Sequence, residues 1–156
     1  MATVKKFEEL TIWIEARKQC TLIDILTKAT TLRNDLPLKD QMNRSSGSVM
    51  DNIAEGFDRF TKADFRHFLV MARGSNAELR SQLYRLKDRG HIEPEKAEEL
   101  IQTNSYLSVK ITNLINHLSN STYKQKPIPS DHSTVKESAI IYHAGIEELP
   151  NEFYNV

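Results

Sequence analysis

Between positions 41 and 83 this chain carries polar and small residues at the helical spacing where a bundle ordinarily carries leucine. Gln41, Ser45, Ser48, Asn52 and Glu55 follow one another at steps of four and three, so on a helix they share one narrow face. A solvated face usually shows Lys and Glu, and a core face shows Leu and Ile. This face shows neither, which predicts a hydrogen-bonded seam between close-packed helices.

The remaining periodicity predicts four helices and no strand, an all-α chain. The first helix runs from about 7 to 31, with Leu10, Trp13, Ala16, Cys20 and Ile23 on one side and Ile14, Leu22, Ile25, Ala29 and Leu32 on another. So wide an apolar arc implies burial on two sides, either against a second subunit or around a small core. Pro37 breaks the chain before a second helix over about 38–56, with Gly56 as its C-terminal cap. The third opens at Thr61, where Thr-Lys-Ala-Asp is a near capping box, and runs to Arg89 before Gly90 stops it. At 1.5 Å per residue it is roughly 40 Å long, so the bundle is elongated. The fourth begins at Pro94 and repeats every seven residues through Ala97, Leu100, Asn104, Leu107, Ile111, Leu114 and Leu118. On that seam Asn104 either fixes the register or hydrogen-bonds a neighbouring backbone. Residues 1–118 are therefore read as the bundle, and 119–156 as a Pro/Ser-rich linker and tail. In the tail Val135, Ala139, Tyr142 and Ile146 suit either a short amphipathic helix docked on a neighbour or a loose end.

The third helix carries a second signal. Arg59, Arg66, Arg73, Arg80 and Lys87 recur every seven residues, and within the helix such positions drift by only about 20° per step, so they form a stripe. Lys62 and Tyr84 fall on the same side. Phe65, Phe68, Met71, Leu79, Gln82 and Leu86 are expected on the opposite, core side. The stripe has three readings: a solvated face, a surface for phosphates, or pairing across subunits with Glu93, Glu95, Glu98 and Glu99. Arginine outnumbers lysine, the spacing is regular and an aromatic is interleaved, all of which suit phosphates. Inside the same helix Gly74-Ser75-Asn76 interrupts good helix formers, at a cost of roughly 1 kcal/mol for the glycine. Close approach of another backbone is the expected reason, with Ser75, Glu78 and Gln82 facing the seam of the second helix; a hinge is the alternative.

Composition narrows the function classes. With 39% hydrophobic and 27% charged residues, and only 5 Gly and 5 Pro in 156, the chain is neither disordered nor fibrous. The zero net charge divides into +4 over residues 1–92 (16 Lys/Arg, 12 Asp/Glu) and −4 over 93–156 (5 against 9), a weak partner signal. One cysteine, Cys20, excludes an internal disulfide and is expected to be buried and inert. The N-terminus lacks a signal-peptide apolar run and no stretch suits a bilayer, so the expected compartment is the cytoplasm. A di-iron bundle needs Glu-x-x-His, and no glutamate here has a histidine three places on. His67, His91, His117, His132 and His143 show no metal-ligand spacing, and no phosphate-binding glycine loop occurs. Glu55 and Glu78 read as carboxylates held by Arg44 or by seam donors rather than as an acid–base pair. No catalytic residue, metal or cofactor is assigned.

Gln41-x-x-Arg44, Ser48, Asn52-Ile53-Ala54-Glu55-Gly56, Arg59, Phe65, Phe68, Ala72-x-Gly74-Ser75 and Glu78-Leu79-x-x-Gln82-Leu83 strongly resemble a bacterial four-helix-bundle family. This is the family named for proteins encoded in intervening sequences of 23S ribosomal RNA genes. The opening Phe7-Glu8-Glu9-Leu10 with Trp13 is similar too, and the likeness covers about residues 7–118. The resemblance implies an antiparallel up-down bundle assembled as a ring-shaped homopentamer without known catalysis. It also implies kinship to the accessory variability determinant of diversity-generating retroelements, a basic helper that binds a reverse transcriptase and nucleic acid. Family members commonly end near the fourth helix, so the tail is a departure. Two function classes follow: a nucleic-acid-binding accessory protein, and a protein-interaction scaffold that meets an acidic partner.

Overall fold

The computed structural model describes residues 4–59 and 61–120, which form an all-α, up-down four-helix bundle. Helix α1 spans Thr11–Ala29, α2 Leu36–Phe57, α3 Lys62–Asp88 and α4 Pro94–Asn120, with 3₁₀ turns at Phe7–Glu9 and Thr31–Asn34. The order of cross-helix contacts shows that neighbours are antiparallel. On α2 and α3, Ser45 meets Gln82 while Ser48 meets Ser75. On α3 and α4, Arg80 meets Ser105 while Arg66 meets Ser119. Glu15 meets Lys110 and Gln19 meets Asn104 in the same sense between α1 and α4.

Local chemistry sets the helix ends. Asp35 caps α2 by accepting the Leu38 N–H at 3.3 Å, and Pro37 lies inside the first turn, where its missing N–H costs nothing, rather than before the helix. Thr61 Oγ1 accepts the Asp64 N–H at 3.1 Å and donates to the Asp64 carboxylate at 2.6 Å, which completes the expected near capping box. Gly90, at φ 66°, ends α3: its N–H reaches Lys87 O at 2.9 Å and the His91 N–H reaches Leu86 O at 3.2 Å. That pair of bonds is the Schellman pattern, and it needs a residue that tolerates the left-handed region. The first helix starts four residues later than expected, because Phe7–Glu9 winds as a 3₁₀ turn instead.

Gly56 does not cap α2. It lies one residue inside the helix end, and a Cβ there would stand 2.5 Å from Phe68 Cβ and 3.0 Å from Phe65 Cδ2. Gly74 shows the reverse: nothing lies within 4 Å of where its Cβ would be. The close approach of another backbone expected at Gly74 is absent there, and the tight glycine is Gly56, pressed by the side chains of Phe65 and Phe68.

The core is two apolar clusters. One joins Leu10, Ile12 and Ala16 to Val49, Ile53, Phe57, Phe65, Leu69, Ala72, Leu107, Ile111, Leu114 and Leu118. The other joins Ile23, Leu32, Leu38, Met42, Leu79, Leu83, Leu86, Leu100 and Ile101. Every member of the seven-residue repeat read on the fourth helix is buried, Asn104 included. On α3 the buried phase is Phe65, Leu69, Ala72, Asn76, Leu79, Leu83 and Leu86, with Gln82 beside it. Met71 is exposed and Phe68 half-buried, so the expected core face was displaced from the real one. On α1 the two expected sides part company. Leu10, Ala16 and Ile23 are buried, with Trp13 and Cys20 half-buried, whereas Leu22, Ile25 and Ala29 face outward. The tail positions Val135, Ala139, Tyr142 and Ile146, with His132 and His143, lie outside the described residues.

Candidate functional site

The polar face of α2 meets α3, and its members pair with one another. Ser45 donates to Gln82 Oε1 at 2.6 Å, Ser48 and Ser75 share a hydrogen bond of 2.9 Å, and Asn52 donates to the Ser48 carbonyl at 2.7 Å. Gln41 continues this line at the surface by accepting from Arg85 at 2.9 Å. Arg44 and Glu78 line a surface cleft with Gln41, Ser45, Ser48 and Gln82 but are not hydrogen-bonded into this line, and neither are Glu55 and Gly74. Arg44 pairs with Asp40 one turn earlier on its own helix, Glu55 with Arg59, and Gly74 and Glu78 are exposed. Hydroxyl and amide groups paired this way join the two helices through side-chain hydrogen bonds.

Between the two apolar clusters lies a layer of amides. Gln19 Nε2 donates to Asn76 Oδ1 at 2.8 Å. Asn76 Nδ2 donates to the Asn104 carbonyl and to Ser108 Oγ, both at 2.8 Å. Asn104 Nδ2 returns bonds to Asn76 Oδ1 at 2.8 Å, the Asn76 carbonyl at 3.0 Å and Gln19 Oε1 at 3.1 Å. Both alternatives for Asn104 are thus realised, because its amide reaches a backbone carbonyl and two side chains on different helices. Gln19 and Asn76 escaped the sequence reading. The available signal was that Asn76 lies in the same seven-residue phase as Leu69, Leu79 and Leu83, the position that Asn104 takes on α4.

The outer edge of α3 is the charged counterpart. Its cations lie along the α3–α4 groove and face small polar residues of α4. Arg66 Nη1 is 3.4 Å from Ser119 Oγ, Arg80 Nη1 is 3.3 Å from Ser105 Oγ, and Lys87 Nζ is 3.3 Å from Glu98 Oε2. The same register puts Thr112 opposite Arg73. The ends of the row are neutralised: Lys87 by Glu98, and Arg59 by Glu55, with the Arg59 guanidinium also 4.9 Å from the centre of the Phe68 ring. Lys62 is half-buried at the first position of α3. Arg66, Arg73 and Arg80 have no carboxylate within ion-pair distance among the described residues. Tyr84 is 48% exposed beside them. Of the acidic residues that open α4, Glu98 is engaged by Lys87 and Glu99 by Lys96, both within the chain.

One cluster at the end of the bundle has no sequence expectation behind it. The Asp35 carboxylate receives Arg89 and, at 3.1 Å, His91 Nε2, while His91 Nδ1 lies 2.9 Å from Thr31 Oγ1. The Arg89 hydrogen bond holds the Asp35 carboxyl below its ordinary value of 3.8. Loss of hydration works the other way, and the His91 and Leu38 hydrogen bonds reinforce the lowering. These contacts tie the end of α3 to the start of α2.

Among the described residues no three His, Cys, Asp or Glu stand close enough to hold a metal, and no helix is long and apolar enough to cross a membrane. Comparison with known families matches residues 8–113 to the family described as 23S rRNA-intervening sequence protein. No curated protein matches the chain. The matched span reaches from the first 3₁₀ turn into α4 and includes the whole outer edge of α3.

Proposed function

Because the chain belongs to the family of 23S rRNA-intervening sequence proteins, we propose that it is a non-catalytic, oligomeric accessory protein that binds the backbone of RNA or DNA. The observation that carries this reading is the row Arg66, Arg73 and Arg80, of which Arg66 and Arg80 reach α4 hydroxyls and none has a carboxylate within ion-pair distance among the described residues. A guanidinium that already has a neutral acceptor on one side keeps its remaining donors for a phosphate oxygen. The magnitude is modest. A few phosphate contacts per protomer support salt-sensitive, largely sequence-independent binding with a dissociation constant on the order of 10⁻⁴ to 10⁻⁶ M. Self-association, as the homopentamer that the family resemblance implies, multiplies those contacts. Exposed Leu22 and Ile25 on α1 are apolar surface that a second copy would cover.

The kinship to the accessory variability determinant that the sequence resemblance implies extends the proposal to a cytoplasmic helper of a reverse transcriptase or another nucleic-acid enzyme. The test is RNA and DNA binding across a salt series, for the native chain and for a variant with Arg66, Arg73 and Arg80 replaced by Glu. Binding should fall as salt rises and be lost in the variant; unchanged binding removes the edge of α3 from consideration. A second reading, a scaffold for an acidic protein partner, is favoured by the Lys87–Glu98 pair, where a carboxylate on a neighbouring helix does engage the row. A partner captured from cells and retained after nuclease treatment favours the scaffold.

A further inference from the structure

We infer that the outer edge of α3 takes an unpaired nucleic-acid strand of either sugar in preference to a duplex; this rests on the backbone-binding reading above. The edge is more than a row of cations. Val70 stands between Arg66 and Arg73, Ala77 between Arg73 and Arg80, and Tyr84 beyond Arg80, in alternating steps of four and three along one face. All three are exposed, Val70 at 46% and Tyr84 at 48%. Apolar surface interleaved with phosphate-binding groups suits a ligand that brings apolar surface of its own. In a duplex the base faces are stacked on each other and only their edges show. An unpaired strand offers those faces, which stack on aromatic side chains.

The layout of charge agrees. The α4 residues facing the unneutralised arginines are hydroxyls, so the cations form a single file and match one strand. A duplex presents two strands across a groove about 6 or 12 Å wide, and a single file leaves the second strand unmatched. From Arg66 to Tyr84 the file is roughly 27 Å long, the length of about eight stacked nucleotides at 3.4 Å each.

The sugar is not read. Ser105 and Ser119 donate their hydroxyl protons to the Ile101 and Ile115 carbonyls, both at 2.8 Å, and accept from Arg80 and Arg66. With its single proton engaged, neither can donate to a 2′-hydroxyl, the group that distinguishes RNA from DNA.

Fluorescence anisotropy with the full chain and labelled 12-nucleotide RNA and DNA single strands, against 12-base-pair duplexes of both, tests this. Both single strands should bind alike and about tenfold more tightly than either duplex. Affinity should level off near about eight nucleotides per protomer. Tyr84→Ala should weaken single-strand binding about fivefold or more and leave duplex binding and the salt slope unchanged, while Tyr84→Phe retains it. Duplex binding equal to or tighter than single-strand binding overturns the inference, as does an indifferent Tyr84→Ala. If either occurs while the triple arginine variant still abolishes binding, the backbone-binding reading survives and only the strand preference fails. If the triple variant binds every probe like the native chain, both fail.

Discussion

Helix α3 carries two polar rows, one closed and one open. Inside the bundle Asn76 meets Gln19 and Asn104, and each amide finds partners on another helix. On the outside Arg66, Arg73 and Arg80 repeat with a seven-residue period, and among the described residues Arg66 and Arg80 meet hydroxyls that already donate to carbonyls. The inner row uses its amide donors on its own oxygens deep in the bundle, and a single buried acceptor there, Asn104 Oδ1, is left without a partner among the described residues. The outer row keeps its charge. Polarity at helical spacing therefore marks architecture when donors and acceptors are balanced, and a candidate surface when one sign is in excess.

Breaking the closed row should have the largest effect. Asn76→Ala strips partners from buried Gln19 and Asn104, and each unsatisfied group costs roughly 1–3 kcal/mol. A loss of about 2–4 kcal/mol in chemical denaturation is expected. Nucleic-acid binding by the folded fraction should be unchanged, because the outer row is untouched. A stability near native would show that the amides do not couple the helices.

The two glycines repeat the contrast in the backbone. Gly56→Ala forces a methyl against Phe68 and should cost about 1–3 kcal/mol as the aromatic packing shifts. Gly74→Ala, next to the open row, meets nothing and should stabilise α3 by up to about 1 kcal/mol. Thermal melts of the two variants should move in opposite directions.

The smallest effect concerns Asp35, where charge is matched instead of left open. Its carboxyl is held below 3.8 in the fold, so its contribution is present above that pH and is lost as pH falls through the folded value. Between pH 6 and pH 3 the native chain should lose more stability than Asp35→Asn. Parallel curves would show that Arg89 and His91 hold no ionised partner there.

Legibility followed the range of each interaction. The repeat from Ala97 to Leu118 named every buried position it contained, Thr61 announced the start of α3, and Gly90 announced its end. The α2 face with Ser45 and Ser48 was visible from its lack of both leucine and charge. Asn76 was missed because, next to Gly74 and Ser75, it looked like an interruption, and that displaced the core phase toward Met71. Arg44 and Glu55 form no hydrogen bond within the seam because each finds an opposite charge one turn away on its own helix or just past its end.

What the sequence by itself determined is local: where helices start and stop, which residues share a face, and that cations recur every seven positions on α3. These depend on neighbours within about one turn of helix or on its strict period. Only the tertiary structure decided which glycine lies under an aromatic ring, which amides meet, and which arginines are neutralised. Gln19, Asn76 and Asn104 are 57 and 85 positions apart from the first, and their meeting is set by the register of three antiparallel helices. That register is a property of the packed bundle as a whole, and no local spacing encodes it.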